Sequence, residues 1–218
     1  MSNFFKWFFS REVFESQHKN ESERLENTMK ITSISRYNAS VRLKLQGKIS
    51  FITTTILSLG LIFMPLMQLA NIHLIFSSNI LSAIQIFLAV AVLVYSVIIG
   101  TARYDLRSEQ LTECGDKLKA LIRDLRIEND DISSIQKRYS DIASSVENHI
   151  RNDFLLATLR TNELYHITGV IRFFKWLQYY TTNIIFNIMP IMLLGIELVF
   201  ILDMFGITKF FTPYLIPN

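Results

Sequence analysis

Residues 49–102 read ISFITTTILSLGLIFMPLMQLANIHLIFSSNILSAIQIFLAVAVLVYSVIIGTA, 54 positions without one Asp, Glu, Lys or Arg. A helix crosses the hydrocarbon core of a bilayer with about 20 apolar residues, so this run is too long for one crossing and fits two. It divides at Asn71-Ile72-His73 and Ser77-Ser78-Asn79, where Asn and Ser favour a turn. The sequence therefore predicts one span near 49–70, a short uncharged loop, and a second span near 80–102. A further charge-free run from Trp176 to Ile196 predicts a third span near 180–202. The first apolar run starts too far along the chain to read as a signal peptide.

Working outward, the composition agrees with a membrane protein. The chain has 218 residues, 22 Lys+Arg against 19 Asp+Glu, 50% apolar residues and only 7 Gly and 4 Pro. Charge stands at 19%, below the quarter or so usual in soluble domains, and mean hydropathy is +0.28. A disordered chain, a disulfide scaffold and an ordinary soluble domain are all excluded. Arg36, Arg42, Lys44 and Lys48 precede the first span, Arg103 and Arg107 follow the second, and Arg172 and Lys175 precede the third. The loop between the first two spans has no Lys or Arg. The excess of positive charge on the cytoplasmic side then predicts an inner-membrane, multi-pass protein with its N-terminus inside and its C-terminus outside.

The expected fold class is an all-α membrane protein: a two-helix transmembrane hairpin plus a third transmembrane helix, with a cytoplasmic antiparallel helical hairpin. Its expected segments are an N-terminal cytoplasmic or interfacial segment (1–48), the transmembrane hairpin (49–102), the cytoplasmic hairpin (103–175), and the third span with a short outer tail (176–218). Leu111, Cys114, Leu118, Leu121 and Leu125 follow a 3-4-3-4 spacing, and Ile135, Tyr139, Ile142, Val146 and His149 or Ile150 give a second apolar seam. Two such helices joined by a short turn bury their seams against each other or a neighbouring subunit. Ser133 or Ser134 is available as the N-cap of the second. Nothing between Ile80 and Leu125 breaks a helix strongly, so the second span is expected to continue as one rod into the cytoplasm. Phe-Phe-Lys-Trp occurs twice, at Phe4 to Trp7 and at Phe173 to Trp176. Lys6, Trp7, Lys175 and Trp176 suit the headgroup level and are expected to anchor the chain at the membrane interface.

No cofactor, metal site or catalytic residue is expected. One Cys and four scattered His form no ligand cluster, and G-x-S-x-G, P-loop, G-x-G-x-x-G and H-E-x-x-H patterns are absent. Residues 103–175 carry 12 basic and 12 acidic residues, which argues against direct nucleic-acid binding. His149 and Asp153 lie one helical turn apart beside Glu147 and Asn148, and this group reads either as a polar clamp or as a proton switch near neutral pH; with Tyr139 these residues are the expected cytoplasmic polar clamp or signal-coupling site.

Within the membrane, Ser78, Ser82, Gln85, Ala89, Ser96 and Gly100 share one heptad face of the second span. Asn183, Asn187 and Glu197 fall on one face of the third. Such faces serve helix packing, or line a water-filled path in a homo-oligomer. An ionisable group at membrane depth, as Glu197 is, is a functional candidate by default.

From about Arg36 to Arg160 the chain resembles the SLATT family, the SMODS and SLOG-associating 2TM effector domain. The residues carrying this are Arg36-Tyr37-Asn38-Ala39 with Arg42-Leu43, the two close spans, Arg103 and Arg107, Leu111 with Cys114-Gly115, Leu118 and Leu121. The last block is Tyr139, Glu147-Asn148-His149 and Asp153. The nearest likeness is to the subfamily associated with reverse transcriptases. The resemblance implies a bacterial membrane effector of an antiviral or conflict system. Such an effector oligomerises in the bilayer and permeabilises the inner membrane, leading to abortive infection, when a cytosolic sensor from a reverse transcriptase or nucleotidyltransferase system triggers it. The alternative is an anchor or scaffold that forms no pore and recruits a cytosolic partner through residues 103–165. No catalytic residues carry over.

Overall fold

A computed structural model of the chain describes residues 13–15, 20–127 and 131–215. These form α1 (Glu21–Leu69), α2 (Ser78–Ala102), α3 (Tyr104–Ile127), α4 (Ile132–Ser144), α5 (Arg151–Arg160), α6 (Gly169–Met204) and α7 (Thr212–Leu215). A two-stranded antiparallel ribbon pairs β1 (Val13–Glu15) with β2 (Tyr165–Ile167), Phe14 standing opposite His166. Apart from that ribbon the described fold is helical, as the sequence predicts. Three stretches, Glu21–Leu69, Ser78–Ile127 and Gly169–Met204, are long and apolar enough to cross a membrane.

The second of these is not a single rod. Arg103 takes the left-handed conformation, φ 46° and ψ 45°, and divides α2 from α3. Phase explains the break. The buried stripe of α2 is Leu81, Leu88 and Tyr95, at intervals of seven. Continued without interruption it would fall on Ala102, Glu109 and Asp116, and the two acids are exposed. The buried stripe of α3 is Leu111 and Leu118, flanked by Ser108, Cys114, Gly115 and Leu121. A residue out of helical register is needed to shift from one stripe to the other. Left-handed backbone costs a non-glycine residue roughly 1–2 kcal/mol, which burying the leucine stripe offsets.

Contacts divide the chain into two units, residues 1–45 with 105–184, and residues 46–104 with 185–218. In the first, the N-terminal half of α1 is the centre. Ile31, Thr32, Ser33, Ser35, Arg36, Asn38, Ala39, Ser40 and Leu43 are all buried. Leu25 and Met29 join Leu121 of α3 and Ile135 of α4 in one apolar cluster, with Leu125, Tyr139 and Ile142 against it. Arg138 and Asp124 pair at 2.8 Å between α4 and α3. The N-cap of α4 is Asp131, whose carboxylate accepts from Ser133 N at 3.4 Å, so the cap lies ahead of the serines expected to supply it.

In the second unit, Leu57 and Met64 of α1, Leu81 and Leu88 of α2, and Phe200 and Met204 of α6 form the core with Phe76, which stacks on Phe200 at 5.2 Å. Polar side chains inside this unit meet in pairs. Tyr95 donates to Ser50 Oγ at 3.2 Å, and Gln85 Nε2 donates to Gln68 Oε1 at 3.0 Å. Asp203, fully buried at the end of α6, accepts from Thr208 Oγ1 (2.5 Å) and from the backbone N–H groups of Phe210 (3.0 Å), Phe211 (2.5 Å) and Thr212 (3.1 Å). That carboxylate ties down the loop after α6 and leads into α7.

Candidate functional site

The polar residues that carry the family resemblance converge on α1 in the first unit. Asp153, in the first turn of α5, is the hub. Its Oδ1 accepts from Arg42 Nε at 2.9 Å and its Oδ2 from Arg42 Nη2 at 3.0 Å, a bidentate pair in which the Asp153 side chain is 3% exposed. Oδ2 also accepts from Ile150 N at 3.1 Å, satisfying one of the unpaired N–H groups at the start of α5. The Asp153 carbonyl takes Asn38 Nδ2 at 3.1 Å, and Asn38 Oδ1 accepts from Arg160 Nη1 at 3.4 Å. Asp153 therefore orients α5 while fastening it to α1.

Arg36 holds the other edge. Its guanidinium donates to the Glu147 carbonyl and, at 3.0 Å, to the Ala143 carbonyl, near the C-terminus of α4, where a cation suits the helix dipole. The Glu147 side chain turns away to Arg107, 2.8 Å from Nη2. Tyr139 meets Thr32 Oγ1 at 3.1 Å. Asn148 Oδ1 accepts the His149 N–H at 3.0 Å. The His149 ring stacks near Phe154, and its buried Nδ1 has no partner. Burial first, and the nearby Arg36 second, hold the His149 pKa below its ordinary value, against the opposing pull of Asp153. His149 and Asp153 thus share a neighbourhood without a direct bond between them. Thr32, Arg36, Tyr139, Ala143, Asn148 and His149 are among the residues lining a cavity of about 510 Å³ beside this cluster.

A second set of side chains binds α1 to α3. Ser40 Oγ lies 2.9 Å from Ser108 Oγ and 2.7 Å from Thr112 Oγ1. Tyr37 donates to Asp116 Oδ1 at 2.5 Å, and burial together with that bond pushes its pKa up. The Tyr37 ring fills the space over Gly115, where an added Cβ would stand 2.9 Å from Cζ. Burial likewise raises the pKa of the Cys114 thiol. Arg36, Asn38 and Arg42 are absent from the residues that sequence reasoning singles out as the clamp, although they belong to the same family pattern. Their signal in the sequence is a run of arginines that reads first as a membrane-flanking charge.

The membrane candidates separate. On α2, Ser78, Ser82, Ala89, Ser96 and Gly100 are exposed, whereas Gln85 is half-buried and joined to Gln68. On α6, Asn183 is half-buried and accepts a long bond from Asn152 Nδ2 at 3.4 Å. Asn187 is also half-buried. Glu197 is 2% exposed and lies against Gly60 of α1. Lys175 and Trp176 are half-buried, and the Trp176 ring lies 5.9 Å from Tyr179 and 5.6 Å from Tyr180. Lys6 and Trp7 lie outside the described residues.

A family model described as SMODS and SLOG-associating 2TM effector domain family 5 matches residues 18–201. It takes in the polar cluster and almost all of the third apolar helix. No curated protein and no solved structure matches the chain.

Proposed function

The chain belongs to the SMODS and SLOG-associating 2TM effector domain family 5, a family of membrane effectors, and from that premise we propose that it oligomerises and permeabilises the bacterial inner membrane when triggered. In this reading the N-terminus and the polar unit are cytoplasmic and the C-terminus lies outside, following the distribution of Lys and Arg. The trigger is a cytosolic sensor, such as a reverse transcriptase or nucleotidyltransferase system, acting on the Asp153–Arg42 and Arg36 cluster.

What supports a pore is the two-sidedness of α2. One face, Leu81, Leu88 and Tyr95, is buried within the chain. A neighbouring face, Ser82, Ala89 and Ser96 with Gly100, has small and polar residues and is exposed. Lipid gains nothing from serine hydroxyls, while small residues let a second helix approach closely and hydroxyls hydrogen-bond across the contact or to water.

The test is induced expression with a membrane-potential dye, comparing the wild-type chain with Ser82→Leu combined with Ser96→Leu. Both positions are exposed, so the change leaves the Gln85–Gln68 pair intact. Depolarisation by the wild type and its loss in the double variant are expected. A wild type that never depolarises, or a double variant that leaks equally, overturns the reading.

A further inference from the structure

Among the buried polar groups of the membrane unit, the Thr53 hydroxyl and Gln68 Nε2 also lack a partner, but Glu197 differs from them in being a carboxyl. Ser50 and Tyr95, Gln68 and Gln85, and Asp203 with its loop all have partners. The two oxygens of Glu197 are buried and have none. Beside it is a cavity of about 360 Å³ whose walls are Ile56, Leu59, Gly60, Phe63, Leu66 and Ile201, with Ile62 completing the lining. Ile56, Leu59, Ile62 and Leu66 are exposed on the surface of the chain, so in a bilayer this side faces hydrocarbon.

Gly60 makes the seat. A Cβ built there would stand 1.8 Å from Glu197 Oε1, so the carboxyl occupies the space a side chain would take. Gly60 also sets the depth. It precedes Leu69, the end of α1, by nine residues. At 1.5 Å per residue that is about 13 Å, close to half of a ~30 Å hydrocarbon layer. No Lys, Arg, His, Tyr or second carboxyl lines the cavity, from α1 or from α6, and α2 contributes nothing to it. Within residues 49–69, 78–102 and 185–204 the other titratable groups are Tyr95 and Asp203, and these are committed to Ser50 and to residues 208–212. An ionised carboxylate in this place has neither donor nor counter-charge, a state that costs far more than the neutral acid.

We propose that Gly60 and Glu197 form a proton-binding site opening towards the lipid, filled by the carboxyl in its acid form, and that loss of the proton drives Glu197 out from between α1 and α6. The site needs no pore, so it stands apart from the reading above. The class of reagent that reaches it is a hydrophobic carbodiimide, which partitions into hydrocarbon and reacts with a protonated acid. The acid proton passes to one carbodiimide nitrogen while the carboxyl oxygen adds to the central carbon. The O-acylurea then rearranges to a stable N-acylurea with no leaving group.

The experiment treats the full chain in lipid vesicles with N,N′-dicyclohexylcarbodiimide and maps adducts by peptide mass spectrometry. An adduct on Glu197 is expected, with a yield that falls as pH is raised, and a water-soluble carbodiimide is expected to leave Glu197 unmodified. Gly60→Ala, whose methyl takes the place of the carboxyl, is expected to lose most of the adduct while still inserting into the vesicles. No adduct on wild-type Glu197, or equal modification by the water-soluble reagent, overturns the proposal. The wild-type arms decide it even if Gly60→Ala fails to fold. Because labelling is read without any leak, an adduct in a chain that never depolarises cells refutes the pore and keeps the site, and the opposite pair of results does the reverse.

Discussion

Replacing Arg42 with Met removes one half of a buried ion pair while keeping most of the aliphatic stem. In the wild type the Asp153 carboxylate receives two bonds from Arg42 and one from Ile150 N. After the change only the backbone bond remains, on a side chain 3% exposed. Stranding a buried charge in this way typically costs about 3–5 kcal/mol, and the partial exposure of Arg42, 15%, favours the lower figure. A loss of about 3 kcal/mol corresponds to roughly a hundredfold in an opening equilibrium. Amide hydrogen exchange in detergent micelles reads this directly. The amides of α5 are expected to exchange about a hundredfold faster, since α5 is the element that Asp153 fastens to α1. Adding Asp153→Asn to Arg42→Met removes the stranded charge and keeps an acceptor for Ile150 N, so the double variant is expected to recover part of the protection. The matched control is Arg107→Met. Its partner Glu147 is 38% exposed, so the expected loss is under about 1 kcal/mol. The reasoning is refuted if Arg42→Met changes α5 exchange no more than Arg107→Met, or if the double variant exchanges as fast as Arg42→Met alone.

Three further outcomes are expected. Gly115→Ala should gain about 1 kcal/mol from helix propensity alone, but its Cβ would meet the rigid Tyr37 ring at 2.9 Å, so a net loss of about 1–3 kcal/mol is expected in thermal unfolding. Combining it with Tyr37→Ser should turn that loss into a gain. His149 has a folded pKa below its ordinary value of about 6.5, so the folded state takes up its proton less readily than the unfolded chain. Its contribution is therefore complete above about pH 6.5 and is lost as pH falls through the folded value, and His149→Phe is expected to flatten the slope of stability against pH below neutrality. Tyr95→Phe removes the bond to Ser50 Oγ and is expected to lower stability in a denaturant titration by about 1 kcal/mol, without changing membrane insertion.

The membrane helices were legible because lipid demands apolar residues on every side, a demand that composition alone reveals. The N-terminal half of α1 was not. Thr32, Arg36, Asn38 and Ser40 are polar and buried together because their partners come from α3, α4 and α5 rather than from water, while the buried Ser33 and Ser35 hydroxyls donate to the Lys30 and Ile31 carbonyls of α1 itself. Apolar periodicity cannot mark a helix whose interior contacts are hydrogen bonds. Of the polar cluster, Tyr139, Glu147, Asn148, His149 and Asp153 stand out in the sequence as a group, while Arg36 and Arg42 read first as flanking charge. Their roles depend on residues more than 100 positions away. The break at Arg103 was open to inference, since the stripes of α2 and α3 differ in phase, but each stripe read by itself gives no warning. Glu197 announced itself by its charge. Gly60 did not, because what it contributes is the absence of a side chain.

Asp203 has a practical consequence for any mapping of this protein's topology. Its carboxylate is shut off from solvent, and donors from Thr208 to Thr212 alone satisfy it among the bonds described. A reporter spliced in directly after Met204 would strand that charge at the mouth of the bilayer. The third helix would then have reason to slide or fail to insert, and the reporter would record the damage instead of the native sidedness. Fusions that keep the chain through Leu215 preserve the knot, and only these give a sound measure of which side the tail occupies.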